Sequence, residues 1–93
     1  MSTYEWDENK ARKNIHKHGI DFDEASSVFD DPNALMTYDP LHPQMEERYI
    51  YIGRSVKGNI LVVVYTQRGE TTRIISCRKA TLVERKAYEN QKT

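Results

Sequence analysis

Asn59-Ile60-Leu61-Val62-Val63-Val64-Tyr65-Thr66 is the stretch on which the fold turns. It is β-branched and apolar with no polar face, which predicts a strand buried on both sides at the centre of a sheet. Lys57-Gly58-Asn59 before it and Gln67-Arg68-Gly69-Glu70 after it supply hairpin turns. Upstream, residues 48–53 alternate, with Arg48, Ile50 and Ile52 on one side and Tyr49 and Tyr51 on the other. Downstream, residues 71–78 alternate, with Arg73, Ile75 and Cys77 on one face and Thr72, Ile74, Ser76 and Arg78 on the other. Strands joined by tight turns pair as antiparallel neighbours, so the second half of the chain reads as a meander. A further strand is expected at residues 34–38, and Asp39-Pro40-Leu41-His42-Pro43 reads as a loop.

The first half reads as helix. After a short extended start at Tyr4-Glu5-Trp6, Asp7 is suited to cap a helix over residues 8–18 that stops at Gly19. Ala11, Ile15 and His18 share one face of it, and Lys10, Lys13 and Lys17 form a basic stripe beside them. Asp21 and Glu24 stand at capping-box spacing before Ala25, Val28 and Phe29, and Asp31-Pro32 ends the second helix. Thr81-Leu82-Val83-Glu84 opens a third helix over residues 82–90, with Leu82, Val83 and Ala87 expected towards the core. The expected fold is α+β, in one domain over residues 1–93. Two N-terminal helices pack on a three- or four-stranded antiparallel sheet, followed by a C-terminal helix. Trp6, Ile15, Phe22, Val28 and Phe29 are expected to pack against the central strand.

Ninety-three residues suffice for one hydrophobic core, and with 38% apolar and 30% charged residues that core is thin. A thin core leaves surface for a partner to cover. The longest apolar run, residues 60–65, falls far short of the roughly 20 residues that span a membrane. The N-terminus has no basic segment leading into an apolar one, so no signal peptide is expected. Cys77 is the only cysteine, which excludes an intrachain disulfide and a cysteine zinc cluster. A cytoplasmic location follows as an expectation. The net charge is zero but uneven. Residues 1–47 carry four basic and eleven acidic residues, and residues 48–93 carry ten basic and three acidic. Such polarity either presents a basic face to phosphate or to an acidic partner, or cancels across the fold.

Few residues point to chemistry. His16 and His18, two apart on a helix, face away from one another and cannot share a metal ion, and His42 has no companion. No metal site and no cofactor is expected. His18 closes a helix, where the dipole favours imidazolium; it reads either as a general acid or base or as a helix-ending residue. Arg48, Arg73 and Arg78 sit inside strands, and Glu46-Glu47 precedes the first of them. Guanidinium groups there suit phosphate oxygens, or else pair with carboxylates of the acidic half. Tyr49, Tyr51 and Tyr65 either stack on bases or fill the sheet. Cys77 reads as a core residue. No phosphate loop, nucleophile elbow, dinucleotide fingerprint or HExxH motif is present.

Three segments together resemble the BrnT family of toxins. The first is Trp6-Asp7-Glu8-Asn9-Lys10 through Asn14, Lys17-His18-Gly19-Ile20, Phe22 and Glu24-Ala25. The second is Glu47-Arg48 followed by Gly53. The third is Arg73-Ile74-Ile75-Ser76-Cys77-Arg78-Lys79-Ala80 with Glu84-Arg85 and Tyr88. Cys77 stands where the family often has alanine, a small-for-small change, and residues 33–45 match nothing distinctive. The resemblance implies a RelE-like fold and the toxin role in a type II toxin–antitoxin pair, with translation blocked by RNA cleavage. It also implies a BrnA-type antitoxin with a ribbon-helix-helix domain as partner, so that DNA is reached only through that antitoxin. Metal-independent RNA cleavage needs a base for the 2′-OH, cations for the phosphorane and an acid for the leaving 5′-oxygen. Arg48, Arg73 and Arg78 are then expected to hold phosphate charge, and His18 or Glu47 to move protons. The alternative is a binding module without catalysis that holds a DNA-binding partner.

Overall fold

The computed structural model describes residues 3–39 and 47–91. The prolines and His42 of the expected 39–43 loop, together with Glu46, lie outside the described residues. The elements are β1 (Thr3–Trp6), α1 (Glu8–His18), α2 (Phe22–Ser27), a 3-10 turn (Val28–Asp30), β2 (Leu35–Tyr38), β3 (Tyr49–Arg54), β4 (Ile60–Arg68), β5 (Thr71–Lys79) and α3 (Leu82–Asn90). The helix ends follow their caps. Asp7 accepts from the N–H groups of Asn9 and Lys10, and Gly19 closes α1 with a φ of 72°, a left-handed conformation that costs glycine little. Thr81 and Glu84 form the expected capping box at the start of α3. At α2 only half of the box forms. Asp21 accepts from the Glu24 N–H, but the Glu24 carboxylate turns inward to Ser55 and Asn59 and fastens the β3–β4 turn to the helix.

The sheet departs from the antiparallel expectation. It has five strands in the order β1-β5-β4-β3-β2 and is mixed. The short extended start is a full strand, β1, running parallel to β5 from Thr3↔Thr71 to Trp6↔Ile74. The meander β2-β3-β4-β5 is antiparallel, as its tight turns require. Pairing across the length of the chain has no local sequence signal, which is why β1 is invisible in the turn pattern.

One face of the sheet is covered. Phe22, Ala25, Val28, Ile20 and Ala11 from the helical half pack with Leu61, Val63, Ile74 and Cys77, and Tyr4, Trp6, Phe29 and Tyr51 close the margin. Of the five residues expected to cover β4, Phe22 and Val28 join Leu61 and Val63 in the core, Phe29 packs on Tyr65, and Trp6 sits at the margin on β1, against Phe22. Ile15 does not cover it, being 49% exposed. Its neighbour Asn14 is buried instead. Gly53 of β3 is needed for this packing, because a Cβ there would lie 2.8 Å from Val28 Cγ1 and 3.0 Å from Ala34 Cβ. Helix α3 corrects a second expectation. Leu82, Val83 and Ala87 face outward, and Tyr88 is its buried residue, donating its hydroxyl to Asp31. The amphipathic pattern of this nine-residue helix is weak, and a single aromatic anchor decides which side goes down.

Candidate functional site

The strand β5 does not alternate as expected. Val64 pairs with Ser76 but Tyr65 pairs with Ile74, so Ile75 is an extra residue, a β-bulge. The bulge resets the alternation. Ile74 and Cys77, three apart, are both in the core. Arg73 and Arg78, five apart, consequently share the outer face, which strict alternation forbids. Arg48, expected inside a strand, stands one residue before β3, where continued alternation would set it on the side of Ile50 and Ile52, the face that carries Arg73 and Arg78.

Two rows of that face carry them. Arg73 lies opposite Thr66 of β4 and Glu5 of β1, and Arg48 precedes Tyr49, whose pairing with Tyr65 would bring Arg48 beside Thr66 if the register ran one residue further. On that continued register Arg48 and Arg73 are two strands apart, about 10 Å at the usual strand spacing. Arg78 lies opposite Val62, four residues along β4 from Thr66, which sets it about 13 Å away along the strands. Between the rows lie Ile50 and Val64.

Arg78 borders a cleft of about 140 Å³ walled by His18, Ile50, Val62, Val64, Ser76 and Glu84. Its guanidinium is held in a fork by Glu84, Nη1 to Oε1 at 2.7 Å and Nη2 to Oε2 at 2.9 Å. The pair shifts both groups: Glu84 raises the Arg78 pKa, and Arg78 lowers that of Glu84 to about 2. Glu84 is therefore a fixed carboxylate at neutral pH and a poor proton acceptor. The Arg78 side chain remains 42% exposed, so the fork orients it without using it up. His18 reaches the cleft because α1 ends beside β5. Asn14 sets that position. Its amide donates to the Cys77 carbonyl at 2.8 Å and accepts from the Cys77 N–H at 3.0 Å. A side chain thereby takes the place of a neighbouring strand where β1 has ended. The same amide also donates to the Ile20 carbonyl at 3.0 Å, fixing the turn after His18.

His18 also borders a second, more open concavity with Lys10, Lys13 and Lys17, so the basic stripe of α1 runs into the cleft. Arg73 is 2.9 Å from Glu5, whose carboxylate also lies 3.6 Å from Arg68. Glu47 is not brought to the cleft; its carboxylate accepts from the Tyr49 hydroxyl at 2.8 Å. Tyr49, Tyr51 and Tyr65 fill the covered face: Tyr49 stacks on Tyr65, Tyr51 meets Tyr65 edge-on, and Tyr51 and Tyr65 both pack against Phe29. Burial pushes Tyr65 up to about 12. Burial likewise raises the Cys77 thiol to about 12, which keeps it protonated and unreactive. Among the described residues no group of three or more His, Cys, Asp or Glu side chains is placed to hold a metal ion. None of the described helices is long and apolar enough to cross a membrane. Glu84 and Ser76 are the polar cleft residues that the sequence did not single out as functional. The signal for Glu84 was its capping-box position, which hid a second partner.

Three helices and a five-stranded mixed sheet in this order make an α+β fold shared with a known ribonuclease toxin. The chain is similar to the crystal structure of the Brucella abortus ribonuclease toxin, BrnT, with a TM-score of 0.64 and 26% identity over 87% of this chain and 99% of that one. Residues 6–84 match the family described as ribonuclease toxin, BrnT, of type II toxin-antitoxin systems, and the chain belongs to that family. Among curated proteins, no sequence matches it.

Proposed function

We propose that the chain is the toxin of a type II pair and cuts RNA without a metal ion at the outer face of its sheet. The observation that carries this reading is the Arg78 guanidinium, forked by Glu84 and still exposed, in one cleft with His18. RNA supplies its own nucleophile. The 2′-oxygen bonds to phosphorus, the bond to the 5′-oxygen breaks, and a cyclic phosphate and a 5′-hydroxyl result. Arg78 neutralises the charge that builds on the phosphorane, where a planar fork of donors acts best. His18 takes the 2′ proton or returns one to the leaving oxygen. It is favoured over Glu47, whose carboxylate is engaged by Tyr49. Arg48 and Arg73 hold flanking phosphates along the same face.

The partner is a BrnA-type antitoxin with a ribbon-helix-helix domain, and any DNA contact belongs to that partner. An acidic segment of the antitoxin laid over the basic surface of residues 48–93 competes with RNA there, and the association is salt-sensitive. The test is labelled RNA incubated with the purified chain in EDTA, alongside co-expression with the adjacent open reading frame. Cleavage in EDTA that the co-purified neighbour suppresses supports the proposal. A chain that binds its neighbour but leaves RNA intact is a binding module, and the catalytic reading falls.

A further inference from the structure

A separate concavity of about 230 Å³ lies at the corner where β3 ends, β4 begins and β5 passes into α3. The Ala80 N–H donates to the Ile60 carbonyl at 2.9 Å and closes that corner. Around it stand Arg54 from the end of β3, Lys79 from the end of β5 and Arg85 from the first turns of α3, over a floor of Ile60 and Ala80. Among the described residues no carboxylate lines it. The nearest one in sequence, Glu84, is taken by Arg78. Arg54 is held in place by its bond to the Gly58 carbonyl at 3.3 Å and by the Tyr88 ring, 6.0 Å from its guanidinium carbon. Lys79 and Arg85 are exposed.

Exposed cations at turns are ordinarily solvated one by one. Here three converge on one hollow in a chain that has fourteen acidic residues to place among them. Like charges brought together repel, and an anion in their midst turns that repulsion into attraction. The hollow also adjoins the cleft. Arg78 and Lys79 are consecutive in β5 and project to opposite sides, and Glu84 and Arg85 are consecutive in α3. The first turn of α3 therefore stands between cleft and hollow as a narrow partition.

We infer that Arg54, Lys79 and Arg85 form a subsite for a phosphodiester of single-stranded RNA, flanking the linkage that is cut in the cleft. The inference rests on the ribonuclease reading and names a route for the substrate strand around the start of α3. Two guanidinium forks and one ammonium converge on an anion with several oxygens, the geometry in which arginine and lysine complement one another. Such a subsite holds the strand remote from the reacting bond, and its binding energy serves positioning.

The test measures binding of a short fluorescent RNA, blocked against cleavage by 2′-O-methyl groups, as a function of salt. Each single-strand phosphate that the protein no longer neutralises lowers the slope of log affinity against log salt by about 0.7, so Lys79→Gln with Arg85→Gln, which empties the subsite of its one phosphodiester, lowers it by about 0.7. The exchange Lys79→Arg with Arg85→Lys keeps the slope and guards against a mere folding defect. On cleavable RNA the neutral double variant shows a raised KM with kcat nearly unchanged, the mark of a positioning subsite. If the wild type binds and cuts RNA and the neutral variant keeps its slope and KM, this inference fails and the ribonuclease reading stands. Loss of antitoxin binding with RNA binding intact likewise overturns it, assigning the hollow to a protein partner. If the wild type neither binds nor cuts RNA, both readings fall together.

Discussion

Arg78 and Glu84 meet across the start of α3 in a two-bond fork, although one belongs to the end of a strand and the other caps a helix. Glu84 serves both ends at once, because Oε1 also accepts from the Thr81 N–H at 2.8 Å. The helix start and the orientation of Arg78 are therefore a single unit. Arg78→Lys keeps the charge but loses the fork, and cleavage is expected to fall while the fold persists. Glu84→Gln frees Arg78 and weakens the helix start together. The Glu84 carboxyl is depressed from 4.5 to about 2, so its stabilising contribution is present above pH 4.5 and lost as pH falls towards 2. Acid titration of thermal stability checks this: wild type loses more than Glu84→Gln in that window. Equal losses remove the linkage.

His18 is exposed, so it is replaceable without harm to the core. His18→Gln is expected to lower the cleavage rate about 10²–10⁴-fold, the usual weight of a positioned proton-transfer group. Single-turnover cleavage measures the rate, and a thermal melt shows the fold unchanged. A full rate in His18→Gln shifts the proton role to another group, with Glu47→Gln the next variant to assay.

Asn14 makes three buried hydrogen bonds, two that complete the edge of β5 at Cys77 and one to the Ile20 carbonyl. Asn14→Ala leaves the Cys77 N–H and two carbonyls without partners, at about 1–3 kcal/mol for each group that stays dry. A total loss of about 2–4 kcal/mol is expected in urea denaturation once water reaches part of the gap. Asn14→Asp keeps the acceptor for Cys77 but sets a carboxylate against two carbonyls, and it is expected to be no more stable than the alanine variant. A neutral result for both means that the edge is held by something else.

Phe22 is 1% exposed, packed edge-on against Trp6. Phe22→Ala is expected to cost about 3–5 kcal/mol, a large share of what a small domain has. By contrast Leu82→Ser and Val83→Ser remove residues that are 66% and 77% exposed, and each change is expected to stay within about 0.5 kcal/mol. The same denaturation series compares all three. If the α3 variants prove as costly as Phe22→Ala, the placement of that helix is wrong.

Local chemistry set much of this protein without help from the rest of the chain. Asp7 and Gly19 bound α1, Thr81 and Glu84 start α3, and the turns at Gly58 and Gly69 place β4 between β3 and β5. Each of these is a short-range effect: a carboxylate or hydroxyl reaches an N–H a few residues on, or glycine takes a positive φ. The segments around Trp6, Arg48 and Arg73 likewise carried the family in their own order. What only the tertiary structure decided involves partners far apart in the chain. Thr3–Trp6 became a fifth strand because β5 offered it a free edge 68 residues away. Asn14 was drawn inside because β5 runs on past β1 and leaves Cys77 in need of a partner. Glu24 left its expected box for Ser55 and Asn59. One extra residue, Ile75, turned the alternation over and put Arg73 and Arg78 on one face. Nothing local announces such a bulge, since it is the pairing with β4 that makes a residue extra.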